Sequence, residues 1–185
     1  VNLLQWLEKG IEPDTYIEEM TKHKENLLTI YDHFDLPDDH HFWEQVKERQ
    51  LQVIVLTEDW CGDAMLNIPI LLKLAEVTDM NVRMLYRDQN LALMDQYLTN
   101  GKSRSIPIFI FIDQHGNERT KWGPRAESIQ AFVNEAQGTL PNKESSDYQE
   151  KSKEMILFMN KTFRDNTHFW QDVYSSLKNA LQKAL

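Results

Sequence analysis

The residues best equipped for chemistry in this sequence are Cys61 and its neighbours, in the run Glu58-Asp-Trp-Cys-Gly-Asp63 followed by Ala64. The run stands between a β-branched stretch, Leu51 to Thr57, and a segment whose apolar residues recur at Met65, Leu66, Ile68, Leu71, Leu72 and Ala75. That is the order strand, turn, helix, and it puts the cysteine in the first turn of the helix. A thiolate there faces unsatisfied backbone N–H groups and the positive end of the helix dipole. Cysteines so placed can have a pKa of roughly 3.5 to 7.5 in place of about 8.5, which makes them nucleophiles at neutral pH. Asp63 acts in two directions: it could cap the helix start, but its charge so near the sulfur opposes the thiolate. An isolated cysteine is often just a small buried hydrophobe. The polar flank of Glu58, Asp59 and Asp63, with Gly62, predicts a partly exposed turn instead.

Other constellations are weaker. His40-His41, with His33 and Asp38-Asp39 nearby, could suggest a metal, but adjacent residues on a helix point apart and no thiolate is near in sequence. An iron–sulfur cluster held by Cys61 alone would have a sparse ligand set. Glu58, Asp59 and Asp63 read as a solvated rim, with no metal pattern beside them. No Gly-rich phosphate loop, Ser-His-Asp set or nucleotide fingerprint is present. The expectation is a site without metal or cofactor.

The elements that must position Cys61 follow from periodicity. Met80 to Tyr86 reads as a second strand, Leu91 to Leu98 as a helix and Ile106 to Ile112 as a third strand. Asp113-Gln-His-Gly116 is a hairpin turn into Glu118 to Trp122, and Ala126 to Ala136 is a closing helix. The order βαβαββα over residues 51–138 predicts an α/β domain with a mixed central sheet and right-handed crossovers. Residues 1–50 read as an N-terminal helical extension of two or three helices plus a short one around Phe42, Trp43 and Val46. Residues 139–185 read as a linker and a C-terminal helical extension. The apolar stripes of both extensions should pack on the central domain, on each other or on a second copy of the chain, as in a homodimer.

With these elements in place, the segment resembles the active-site region of the thioredoxin family. Trp60-Cys61-Gly62 matches its opening, and Pro69, eight residues after the cysteine, matches the proline of the family's first helix. Asp88-Gln89-Asn90 after the second strand, Ile106-Pro107 ahead of the third with Arg104 upstream, and Gly116 and Gly123 around the hairpin complete the likeness. The resemblance implies a thioredoxin-like fold, with Cys61 as the catalytic nucleophile. It implies a cis Ile106–Pro107 element facing Cys61, and a peptide groove formed by Trp60, Gly62, Asp63, Ala64, Ile106 and Pro107. The form with helices on both sides resembles uncharacterised bacterial thioredoxin-like proteins of this length.

The departures shape the expected activity. The family's resolving cysteine is replaced by Ala64, so Cys61 cannot release a mixed disulfide by internal attack. The family's buried acid and nearby lysine are replaced by Val55 and Met84. What is left is monothiol exchange, in which Cys61 attacks a protein disulfide or mixed disulfide and a low-molecular-weight thiol serves as co-substrate. The alternative is a non-catalytic adaptor built on the same scaffold.

Bulk composition agrees with such partners. Twenty basic against 29 acidic residues give a net charge of -9, which repels nucleic acids and anionic membrane surfaces. No run approaches the roughly 20 apolar residues of a membrane span, and the first residues do not read as a secretory signal. One cysteine excludes an internal disulfide, and a free thiol favours the cytoplasm.

Overall fold

The structure, a computed structural model, describes residues 2–185. Four strands, β1 (Gln52–Thr57), β2 (Asn81–Tyr86), β3 (Ile108–Ile112) and β4 (Glu118–Trp122), form one sheet in the order β2-β1-β3-β4. β1 and β2 run parallel, with Val55 opposite Met84, while β1–β3 and β3–β4 are antiparallel. A parallel pair needs a crossover, supplied here by the helix Gly62–Thr78. The central strands β1 and β3 are buried along nearly their whole length, as their unbroken apolar runs require, while β4 is exposed over most of its length. At the hairpin, Asp113 Oδ1 accepts the N–H groups of His115 (2.9 Å) and Asn117 (3.0 Å).

Four helices precede the sheet: α1 (Leu3–Lys9), α2 (Pro13–Glu19), α3 (Lys24–His33) and α4 (His40–Glu48). The crossover helix is α5 (Gly62–Thr78), and α6 (Leu91–Met94) and α7 (Glu127–Gly138) follow in the central unit. α8 (Tyr148–Asp165) and α9 (Thr167–Gln182) close the chain. The order of strands and helices from residue 52 to 138 is the expected βαβαββα.

The terminal helices share the sheet's core. The segment between α1 and α2 pairs with the outer edge of β2: Ile11 N–H donates to Met84 O (2.9 Å) and Met84 N–H to Ile11 O (2.8 Å), which covers an otherwise open edge. Leu27 and Ile30 of α3, and Val173, Leu177 and Leu181 of α9, are fully buried in the same cluster as β1 and β3. α5 is apolar nearly all round because it is covered on several sides, by α3, α4, α8 and α9.

Several boundaries differ from the sequence reading. The N-terminal region is not among them: its three helices plus the short α4 agree with the reading, α2 and α3 being separated by His23 in the left-handed region at φ 61°. The helix from Leu91 stops at Met94, short of the expected Leu98, and the third strand begins at Ile108, after Ile106 and Pro107. The C-terminal helical region divides at Asn166, whose side chain caps α9 by accepting the Phe169 N–H at 3.2 Å.

Candidate functional site

Cys61 is the N-cap residue of α5. Its sulfur accepts the Ala64 N–H at 3.4 Å and, as a thiol, donates to the Ile106 carbonyl at 3.5 Å. The turn is partly exposed as expected, with Trp60 46% exposed, but Cys61 itself is only 8% exposed, its sulfur lying against the Ile106 carbonyl. Burial pushes its pKa up to about 11, and Asp63's charge adds to the rise. The N–H groups of Ala64 and Asp63 and the charge of Arg125 pull the other way without prevailing. The hydrogen bond to Ile106 also holds the neutral form.

Asp63 does not cap the helix. Its carboxylate takes Arg125 in a two-point ion pair, Nε–Oδ1 and Nη2–Oδ2 both at 2.8 Å, and Arg125 Nη1 donates to Gln130 Oε1 at 3.0 Å. With side chains 13% and 23% exposed, the pair is no part of a solvated rim. Burial raises Asp63's pKa, with Arg125 opposing. Arg125 arrives from the turn after β4, where Gly123 sits at φ 125° and passes so close to Pro107 that a Cβ would strike its carbonyl oxygen. The Ile106–Pro107 and Gly123–Pro124 peptides are both cis. Asn67, buried on α5, donates to Pro124 O at 2.9 Å and ties this turn to the helix.

A groove of about 480 Å³ opens at the cysteine, bounded by Trp60, Asp63, Arg104, Ile106 and Arg125. Trp60 is 46% exposed, with the Arg87 guanidinium 5.0 Å above its ring. Of the expected groove residues, Trp60, Asp63 and Ile106 line this opening together with Cys61. Ala64 and Pro107 are buried behind it, and Gly62 faces α8, where a Cβ would strike the Asn160 side-chain oxygen. Val55 and Met84 are a buried apolar pair on adjacent strands. Among the described residues no group of three or more His, Cys, Asp or Glu side chains is placed to hold a metal, and His40 pairs with the exposed Asp38 at 3.3 Å.

Residues that sequence reasoning missed brace the loop before Cys61. Tyr16 of α2 bonds the Thr57 hydroxyl at 3.0 Å inside the core, at the end of β1. Asp59 accepts the backbone N–H (2.8 Å) and the hydroxyl (3.1 Å) of Thr21. Glu58 accepts the Asp88 N–H at 3.0 Å. These contacts, like that of Arg125 with Asp63, join residues 30 or more positions apart and carry no local signal. The one cue near Arg125 is Gly123-Pro124, a turn signal ending β4.

A mixed sheet in this order, with a cysteine capping the first crossover helix opposite an Ile-Pro turn, defines a thioredoxin-like protein. The family model Thioredoxin_9, described as thioredoxin, matches residues 10–137, and the chain belongs to that family. The match takes in α2, α3 and α4 as well as the sheet. No curated protein matches this chain. Similar solved structures include an HIV epitope scaffold, 12% identical, with a TM-score of 0.70 and covering 100% of each chain. A protein of unknown function from Pseudomonas aeruginosa is 14% identical, with a TM-score of 0.66, covering 97% of this chain and 99% of that one. At these identities the likeness speaks for the fold alone.

No helix is long and apolar enough to cross a membrane among the described residues.

Proposed function

We propose that the protein carries out monothiol exchange through Cys61, taking a small thiol from protein mixed disulfides in a reducing compartment such as the bacterial cytoplasm. The observation that carries this reading is the position of the sulfur: at the start of α5, 3.5 Å from the Ile106 carbonyl, at the edge of a groove walled by Trp60. In the first step the Cys61 thiolate attacks the sulfur of the small thiol in a protein–S–S–R disulfide. A Cys61–S–S–R bond forms, and the protein sulfur leaves as a thiolate and takes up a proton. A second R–SH, as its thiolate, then attacks the R sulfur, R–S–S–R leaves, and Cys61 recovers its proton. The net change is protein–S–S–R plus one R–SH giving protein–SH and R–S–S–R, so one free small thiol is consumed per turnover. Ala64, with no thiol, leaves resolution to the second small molecule.

The test is reduction of a peptide carrying a mixed disulfide with a small thiol. Cys61→Ser should abolish it with the fold intact, and retained turnover would end the proposal.

Two observations favour a second reading, a binding module on the same fold. A thiol held up to about 11 supplies about one thiolate in ten thousand molecules at pH 7, and α8 presents the exposed apolar residues Ile156, Leu157 and Phe158. Partner capture that survives Cys61→Ser and is lost in Leu157→Asp would favour this module over exchange.

A further inference from the structure

Between β4 and α9 lies a cavity of about 730 Å³, larger than the groove at Cys61 and with a different chemistry. Its floor is Trp122, 7% exposed, whose indole N–H is held by the Ser176 hydroxyl at 2.8 Å. Lys121 and Lys183 reach the same space, and neither has an ion-pair partner among the described residues. Two carboxylates share the lining, Glu127 and Asp172, and Asp172 already accepts the Ser128 hydroxyl at 2.7 Å. The two ammonium groups, in no ion pair although two carboxylates share the lining, and Lys121 with its Nζ 5.4 Å from the Tyr97 ring, give a compact organic anion two cationic anchors above an aromatic floor, and the volume falls within the roughly 300–1,000 Å³ of small-molecule sites.

Arg125 lines this cavity and the Cys61 groove alike. We propose that the cavity binds a small organic anion, carrying carboxylate or phosphate groups, and that its occupation is felt at Cys61 through Arg125. A bound anion competes with Asp63 for the guanidinium. Asp63 is then less compensated beside the sulfur, and the thiolate is less favoured. The coupling is reciprocal, so a thiolate at Cys61 weakens the anion's binding. This stands apart from the exchange reading, because alkylation of Cys61 reports the thiol whether or not the protein exchanges disulfides.

The experiment uses the full chain with two probes, citrate and inorganic phosphate, each against sodium chloride at equal ionic strength. The Trp122 indole N–H resonance is followed by NMR, and alkylation of Cys61 by intact mass. The expected result is a saturable shift of the Trp122 resonance with at least one probe, weakened about tenfold in the Lys121→Ala/Lys183→Ala double variant. Saturation should also slow Cys61 alkylation, by about fivefold. A response to citrate alone assigns a carboxylate ligand, and a response to phosphate alone a phosphate-bearing one. The site is overturned if neither probe shifts the resonance beyond the chloride control, or if the double variant, its other indole resonances in place, binds as tightly as the parent. Saturable binding with an unchanged alkylation rate overturns the coupling to Cys61.

Discussion

Replacing Asp63 by Asn tests how the reactivity of Cys61 is set. The thiol is pushed up to about 11, first by burial and then by the Asp63 charge. Asn keeps the shape of the side chain and removes the charge, while Arg125, 23% exposed and still bonded to Gln130, stays in place. A nearby charge is worth about 1–3 pKa units, and because burial rather than Asp63 is the larger cause of the rise the low end applies, a fall of about one unit. That gives about ten times more thiolate at neutral pH, but a less basic thiolate is a weaker nucleophile, and the net gain in attack on a disulfide is about threefold. Loss of the ion pair should cost about 2 kcal/mol, less than for a fully buried pair. The assay is the pH–rate profile of Cys61 with an aromatic disulfide reagent, alongside near-ultraviolet circular dichroism to confirm the fold. Arg125→Gln, which removes the attractive charge, should not lower the midpoint. A folded Asp63→Asn variant whose midpoint stays put or rises would refute the account of the site's electrostatics.

Further predictions concern stability. Cys61 keeps its proton to about 11 in the fold, whereas an unfolded thiol titrates near about 8.5. The unfolded chain therefore loses its proton first as pH rises, and up to about 3 kcal/mol of stability is lost across that window. Thermal unfolding of the wild type should fall faster than that of Cys61→Ser between these values, and parallel curves would contradict the burial argument. Gly123→Ala forces a Cβ against the Pro107 carbonyl at a positive φ and should destabilise by about 3 kcal/mol in urea unfolding. Leu177→Ala, in α9 and fully buried, should cost about 2–5 kcal/mol. A loss below about 1 kcal/mol would mean that α9 is not part of the common core.

The sheet was legible because its signals are local. Val53 to Leu56 and Ile108 to Ile112 are short buried β-branched and aromatic runs, and Gly116 with Asp113 marks the hairpin. The break between α2 and α3 was legible only as a choice between two and three helices, because Thr21, just past α2, is held by Asp59, 38 positions away. The break at Asn166 was written locally, as an N-cap side chain, but the continuous apolar stripe on both sides masked it. At the site, the sequence identified Cys61 and its place at a helix start. It misjudged the exposure of Cys61, whose sulfur meets the Ile106 carbonyl, 45 positions away, only in the folded chain. The charges next to Cys61 looked solvated because the partner of Asp63 lies 62 positions away.

The most direct test of the central proposal is to quench reduced protein after mixing it with a peptide that bears a small-thiol mixed disulfide, and to weigh the intact chain. The account predicts one small-thiol adduct, mapped to Cys61, formed as peptide thiol is released and cleared when free small thiol is added. Peptide reduction at the same rate by Cys61→Ser, or no adduct on folded wild-type protein, would contradict it.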